Sequence, residues 1–194
     1  SGLGILADEN NILKIDDSEE LHSEFSSNII LSSSKPTMVQ DGDLQVWDLA
    51  GRAVVPGLVD AHTHLIWSGD RSNEIALRQQ GYTYRQISEM GGGISHTVRE
   101  TRSSSADVLF AEGARRVRTA QQNGTTYLES KSGYGLTTED ELKLLEVSNQ
   151  LDGYSGMKIS HTWLGAHSIP NGKTRTEYVD ELVSEQLPAV VEQG

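Results

Sequence analysis

The sequence predicts an α/β fold, a run of βα units on a parallel sheet preceded by a smaller stretch of short strands. Three observations predict it. From Val54 onward brief β-rich runs alternate with longer helical ones. Residues 1–53 carry only short apolar runs set between Asp, Asn, Ser and Gly clusters. With 36% hydrophobic and 23% charged residues, the chain has the composition of a protein that can bury a core.

The opening runs, Leu3 to Leu6, Ile12 to Ile15, Asn28 to Leu31 and Leu44 to Leu49, read as short strands. The stretch Asp16 to Asp43 is polar and includes Ser32-Ser33-Ser34, so loose loops are expected there. Val54 to Leu65 reads as the first strand of the second part, with Pro56 tolerable near its start. A long connection from Ile66 to about Ser105 follows, containing Gly91-Gly92-Gly93 but no single clear helix, and connections of that size are usually functional. A helix over Asp107 to Gln122 ends at Asn123-Gly124, and strand Thr125 to Ser130 comes next. Thr138 and Glu141 are spaced as a capping box for a helix reaching Leu151. Strand Met157 to Trp163 precedes a last helix in which Pro188 predicts a kink. The domain expectation is thus residues 1–53 and 54–194, the latter with three strand-helix units.

Composition excludes several classes. Sixteen Lys and Arg against 28 Asp and Glu leave a formal charge of -12, contrary to a phosphate-tracking basic surface, so no nucleic-acid partner is expected. With no cysteine there is neither a disulfide framework nor a thiolate metal site, and a transition metal would need His and carboxylate ligands. No apolar run approaches the roughly 20 residues of a membrane helix, and no signal-peptide pattern opens the chain, so a cytoplasmic location and no membrane partner are expected.

His62-Thr63-His64 ends the first long strand. Residues i and i+2 of a strand share a side, so the two imidazoles can converge on one metal. With six histidines in the chain, about 0.2 such pairs arise by chance, and two core histidines are the bland alternative. The surrounding run Pro56-Gly57-Leu58-Val59-Asp60-Ala61-His62-Thr63-His64 resembles the metal-binding first strand of the amidohydrolase superfamily. That resemblance implies a metal-dependent hydrolase (β/α)₈ TIM barrel, of which this chain carries the first three units, preceded by part of a small all-β (β-sandwich) domain.

Further motifs narrow the resemblance. Gly69-Asp70-Arg71-Ser72-Asn73-Glu74, Gly91-Gly92-Gly93-Ile94, Lys131-Ser132-Gly133-Tyr134-Gly135-Leu136 and Gly165-Ala166-His167 are similar, in order and spacing, to those of the imidazolonepropionases. The resemblance covers Val54 to Gly194 closely and the first 53 residues only in general plan. It implies the substrate 4-imidazolone-5-propanoate, a cyclic amide with a carboxylate tail. Arg71, read alone a surface ion-pair partner of Asp70 or Glu74, is then carried over as a ligand for that carboxylate. Tyr134, between two glycines, and His167 are carried over as substrate-binding residues, with His167 also the catalytic group that polarises the ring carbonyl. Tyr84 is a weaker candidate for the same pocket, with Tyr82 an equal contender from sequence alone. His161 is read as structural, and His96 and His22 as bystanders. The triple glycine lacks the Lys-Ser/Thr of a phosphate loop and is read as a lid or pocket wall.

By the same resemblance, His62 and His64 hold one divalent metal, zinc or iron, and the product is N-formimidoyl-L-glutamate of histidine breakdown. The remaining ligands, a His and an Asp, and the acidic proton-handling residue come from later strands in the family. The expectation is therefore an N-terminal fragment, incomplete and inactive alone, with a homodimer possible at full length. Another amidohydrolase, acting on a cyclic amide or as an aminohydrolase, and a non-catalytic half-barrel scaffold are the competing readings.

Overall fold

The alternating apolar residues of the first stretch do form strands. The structure is a computed structural model that describes residues 2–9, 11–25 and 35–194, and it divides into two units, residues 1–56 and 57–194. In the first unit, β1 (Leu3–Ala7) pairs antiparallel with β2 (Ile12–Asp17), Ile5 opposite Ile15. Helix α1 (Ser18–Phe25) follows, buries Leu21 and was not expected in a stretch so polar. Its start has a local cause: Asp17 Oδ1 accepts the Glu19 amide at 2.8 Å, and Glu19 and Glu20 complement the positive helix end. A second hairpin joins β3 (Thr37–Asp41) to β4 (Leu44–Asp48) through Gly42 at φ +60°. β3 falls where loop was expected. The predicted strand Asn28 to Leu31 and the serine run Ser32 to Ser34 lie outside the described residues. Two separate two-stranded sheets are what this unit forms among the described residues.

In the second unit, β5 (Leu58–Thr63), β6 (Thr125–Lys131) and β7 (Lys158–Thr162) form a parallel sheet in that order. Mixed α/β architecture with sequential parallel strands agrees with the pattern read from Val54 onward. The β5–β6 connection is not a helix-free loop. It holds α2 (Asn73–Gln79), α3 (Tyr84–Glu89), α4 (Gly93–Ser103) and the expected long helix α5 (Ala106–Gln122). Helices of two or three turns are too short to show a repeating apolar period. Local signals fix them: Thr83 and Gln86 make a reciprocal capping box, and Gly92 is the N-cap of α4.

α5 and α6 (Thr138–Ser155) cover one face of the sheet. Leu109, Val117, Leu128, Leu144, Val147 and Leu151 are buried there together with Ile66 and Ile159. Full burial of a Leu or Val side chain contributes about 1.5–3 kcal/mol. Gly113 allows the close approach, since a Cβ there would stand 2.6 Å from Leu151 Cδ1. The α6 cap is displaced from the expected position by one residue: Thr137, not Thr138, accepts the Asp140 amide, and Glu141 turns away from the cap altogether. At the end of the chain, α7 (Arg175–Glu181) and α8 (Leu187–Gln193) are separated by a π turn over Leu182–Gln186. Pro188 has no N–H for the carbonyl one turn back, and the Leu187 amide bonds Leu182 instead, five residues away. The expected kink therefore takes the form of a π insertion. No helix among the described residues is long and apolar enough to cross a membrane.

Candidate active site

Parallel strands put their carboxyl ends on one edge, and loops leaving that edge can face one another. His62 lies in β5 and His64 just beyond it, Tyr134 follows β6, and His167 sits in the 3-10 turn Gly165–His167 after β7. The structure brings all four rings together. His64 is at the centre, 5.7 Å from His62, 4.7 Å from Tyr134 and 4.6 Å from His167 between ring centroids, and Tyr134 is 5.5 Å from His167. The β5 pairing slips between Asp60 and Thr63, a bulge at the point where the histidine pair begins. Asp60 Oδ1 accepts the His62 amide at 3.4 Å.

Burial sets the protonation of this group. His64 is pushed down to about 4, first by burial and then by the charge of His167, against an opposite pull from the Ser132 backbone that outweighs the charge of His62. Burial also lowers His167 and raises the Tyr134 phenol above its ordinary value. Near neutral pH His64 is thus a neutral imidazole and Tyr134 a protonated phenol. His64 Nδ1 is buried with no hydrogen-bond partner, a lone pair or N–H that the protein itself leaves unsatisfied.

Two glycine-flanked loops shape the ring cluster. Gly133, at φ +110°, leaves room for His167, whose Cβ would be 2.8 Å from a Cβ at that position. Ser132 Oγ accepts the Leu164 amide at 2.8 Å and its own amide reaches the Thr162 carbonyl at 2.9 Å, so the loops after β6 and β7 are stitched together. Glu141, wholly buried, accepts the amides of Gly133 at 3.0 Å, Gly135 at 2.8 Å and Leu136 at 2.7 Å.

Arg71 is half-buried at the start of the first connection. Its Nε and Nη2 meet Glu74 Oε1 and Oε2, both at 2.8 Å, which leaves its end-on Nη1/Nη2 edge facing away from that carboxylate. Glu74 Oε1 also accepts the Gly93 amide at 2.7 Å, which ties the triple-glycine segment to Arg71. The Arg71 pair holds Glu74 down to about 2 despite burial. The Tyr84 hydroxyl is 3.3 Å from where a Gly93 Cβ would be. His161 bonds Ser148 Oγ at 2.9 Å, and His96 bonds Arg99 Nη2 at 2.8 Å.

The donor set fits part of a metal site. His62 and His64 offer two imidazoles at positions i and i+2 of one strand end, and the buried Nδ1 of His64 has no hydrogen-bond partner among the described residues. Among the described residues no group of three or more His, Cys, Asp or Glu could hold a metal by itself.

Sequence reasoning offered Glu74 as an ion-pair partner of Arg71, as found, but missed Glu129 and Lys131 near the site and misread Glu141. Glu129 Oε1 takes Lys131 Nζ at 2.5 Å and Thr162 Oγ1 at 2.6 Å on the sheet face that carries His62. Charged residues at every second position of a central parallel strand were the available signal, because such strands usually read as continuous apolar runs.

Residues 45–113 match the Amidohydrolase family. Over 150 residues the chain is 43% identical to the probable imidazolonepropionase of Homo sapiens, a match spanning 77% of this chain and 35% of that protein. The imidazolonepropionase of Shewanella sediminis is 46% identical over 149 residues, spanning 74% of this chain and 36% of that protein. That of Stenotrophomonas maltophilia is 38% identical over 193 residues, 100% of this chain and 45% of that protein. The chain is thus similar to imidazolonepropionases, as its motifs indicated, and spans well under half the length of these curated relatives.

Proposed function

We propose that this chain is the N-terminal, substrate-facing part of an imidazolonepropionase, a hydrolase that opens the cyclic amide of 4-imidazolone-5-propanoate with water to give N-formimidoyl-L-glutamate in histidine degradation. The observation that carries the reading is the convergence of His62, His64, Tyr134 and His167 within 6 Å centroid contacts at the carboxyl ends of three consecutive parallel strands. On this reading the three βα units open a (β/α)₈ barrel, and the two hairpins are part of a β-sandwich. His62 and His64 hold a divalent metal, zinc or iron, together with ligands from later strands. When bound, such a metal acidifies a water and polarises a carbonyl.

The chain's own residues do the rest. Arg71 offers its free guanidinium edge to the propanoate, and Glu74 keeps that guanidinium in place. Tyr134 stays protonated and donates to the substrate, with Tyr84 beside it. His167 contacts the ring carbonyl oxygen and steadies the negative charge that develops there on attack. The loops after β6 and β7 exclude water from that oxygen. Cytosolic location and a homodimeric full-length enzyme belong to this reading through the family resemblance alone.

The test is turnover of 4-imidazolone-5-propanoate by the full-length protein, before and after chelation, with His62→Ala and Tyr134→Phe variants. Loss of activity on chelation and in His62→Ala, with a raised KM in Tyr134→Phe, supports the reading. Turnover of a different cyclic amide or an amino-substituted ring, and none of this substrate, assigns another amidohydrolase reaction. Metal binding without any hydrolysis refutes the catalytic reading.

A further inference from the structure

Glu141 is a carboxylate in the wrong place for a helix cap. It sits in the first turn of α6, where an acidic side chain usually faces solvent or the cap residue. Here it is completely buried, and it makes no ion pair among the described residues. Its three acceptor contacts all go to backbone amides of one loop, Gly133, Gly135 and Leu136. Tyr134 lies inside that span. A second side chain grips the same loop from the opposite polarity, since Arg102 Nε donates to the Gly135 carbonyl at 2.6 Å.

The loop needs such a grip because its backbone is unfavourable by itself. Leu136 has φ +55° and Gly133 φ +110°, and a non-glycine residue in the left-handed region costs about 1–3 kcal/mol unless its surroundings hold it. The fit leaves no slack: a Cβ on Gly135 would be 2.6 Å from the Glu141 amide nitrogen. The charge of Glu141 is also close enough to raise His167. One buried carboxylate therefore governs the path of the Tyr134 loop, against which His167 packs at Gly133.

We infer that Glu141 is a positioning residue of the active site, the internal anchor that holds the Ser132 to Leu136 loop in its strained path so that Tyr134 and His167 meet the substrate together. This rests on the proposed reaction for its activity readout, and the physical anchoring stands apart from it. Glu141→Gln keeps the volume but turns one oxygen into an NH₂ group that must face a backbone N–H. Since Oε1 serves both Gly135 and Leu136, the amide oxygen stays with them and the NH₂ is forced against the Gly133 amide.

The experiment compares wild type, Glu141→Gln, Tyr134→Ala and the double variant of the full-length protein. kcat and KM for 4-imidazolone-5-propanoate are normalised to the folded fraction, and amide exchange is followed at residues 132–136. Anchoring predicts that Glu141→Gln lowers kcat/KM by about 10–100-fold through misplacement of Tyr134 and His167. In the Tyr134→Ala background the further loss shrinks to less than about 5-fold, because the two residues act as one unit. The Gly133 amide loses protection while amides in the middle of α6 keep theirs. Unchanged kcat/KM with unchanged exchange at Gly133 overturns the inference. So do losses that simply multiply across the double variant, which denote general destabilisation. If wild type does not hydrolyse the substrate, the proposed reaction fails, and the exchange comparison alone then decides whether Glu141 anchors the loop.

Discussion

Replacing Glu74 by Gln tests how firmly Arg71 is held. The carboxylate is nearly buried and engages three donors, Arg71 Nε and Nη2 at 2.8 Å and the Gly93 amide at 2.7 Å. Gln can keep one acceptor contact but places an NH₂ against a guanidinium. Breaking a charge-assisted pair while leaving its partner in place costs about 1.5–3 kcal/mol. The pH dependence gives an independent figure. Glu74 is held down to about 2 from an ordinary 4.5, which corresponds to about 3 kcal/mol at most, and to about 2 once the solvent around the 30% exposed Arg71 is allowed for. The sign follows from the depressed value: this stabilisation is complete above the unfolded carboxylate value of 4.5 and is lost as pH falls toward about 2. Urea denaturation of wild type and Glu74→Gln at pH 7 is expected to differ by about 2 kcal/mol, and the gap should close as the pH is lowered through that window. A difference below about 0.5 kcal/mol at pH 7, or a gap that widens in acid, would refute the assignment of Glu74 as the clamp on Arg71.

Three further outcomes follow from the same structure. Gly133→Ala places a Cβ 2.8 Å from His167 Cβ and 3.0 Å from the Leu164 carbonyl at φ +110°, so KM for the substrate should rise at least about 10-fold in steady-state assays while far-UV circular dichroism is unchanged. Leu109→Ala, at a position with no solvent exposure between α5 and the sheet, should cost about 2–5 kcal/mol in chemical denaturation, and a smaller loss means that the core can collapse around the cavity. The 194-residue chain by itself should retain less than one equivalent of zinc after dialysis, with residual binding abolished in His62→Ala/His64→Ala; one tightly held metal per chain by elemental analysis contradicts the two-imidazole reading.

What could be read from sequence was whatever a residue announces by its own type and neighbours. His62 and His64 stand in a recognisable strand-end run, Tyr134 stands between two glycines and His167 closes the Gly165-Ala166-His167 run, each after a predicted strand, so their meeting on one edge follows from parallel pairing. The carboxylates are different. Glu74 could be read as a partner of Arg71 three residues away, but its hold on the Gly93 amide could not, and Glu141 mimicked a capping residue because Thr138 stands three residues before it. The same limit applies to α1 and β3, whose stretch is poor in apolar residues, and to α2 and α3, each shorter than the window in which a helical period can be counted. The π turn before Pro188 belongs to this class as well, since proline predicts a missing hydrogen bond without saying which carbonyl the preceding amide will choose.

The slip in β5 pairing between Asp60 and Thr63 changes what counts as a conservative edit of this strand. A bulge works like a shift of reading frame: upstream of it odd and even positions face opposite ways from those downstream. A one-residue deletion at Ala61 would remove the extra residue, restore regular pairing and leave both histidines on the face they now share, whereas a deletion at Thr63 would make them consecutive and turn them to opposite faces. Substitutions around the pair therefore probe chemistry, whereas insertions and deletions probe which face the chemistry is on.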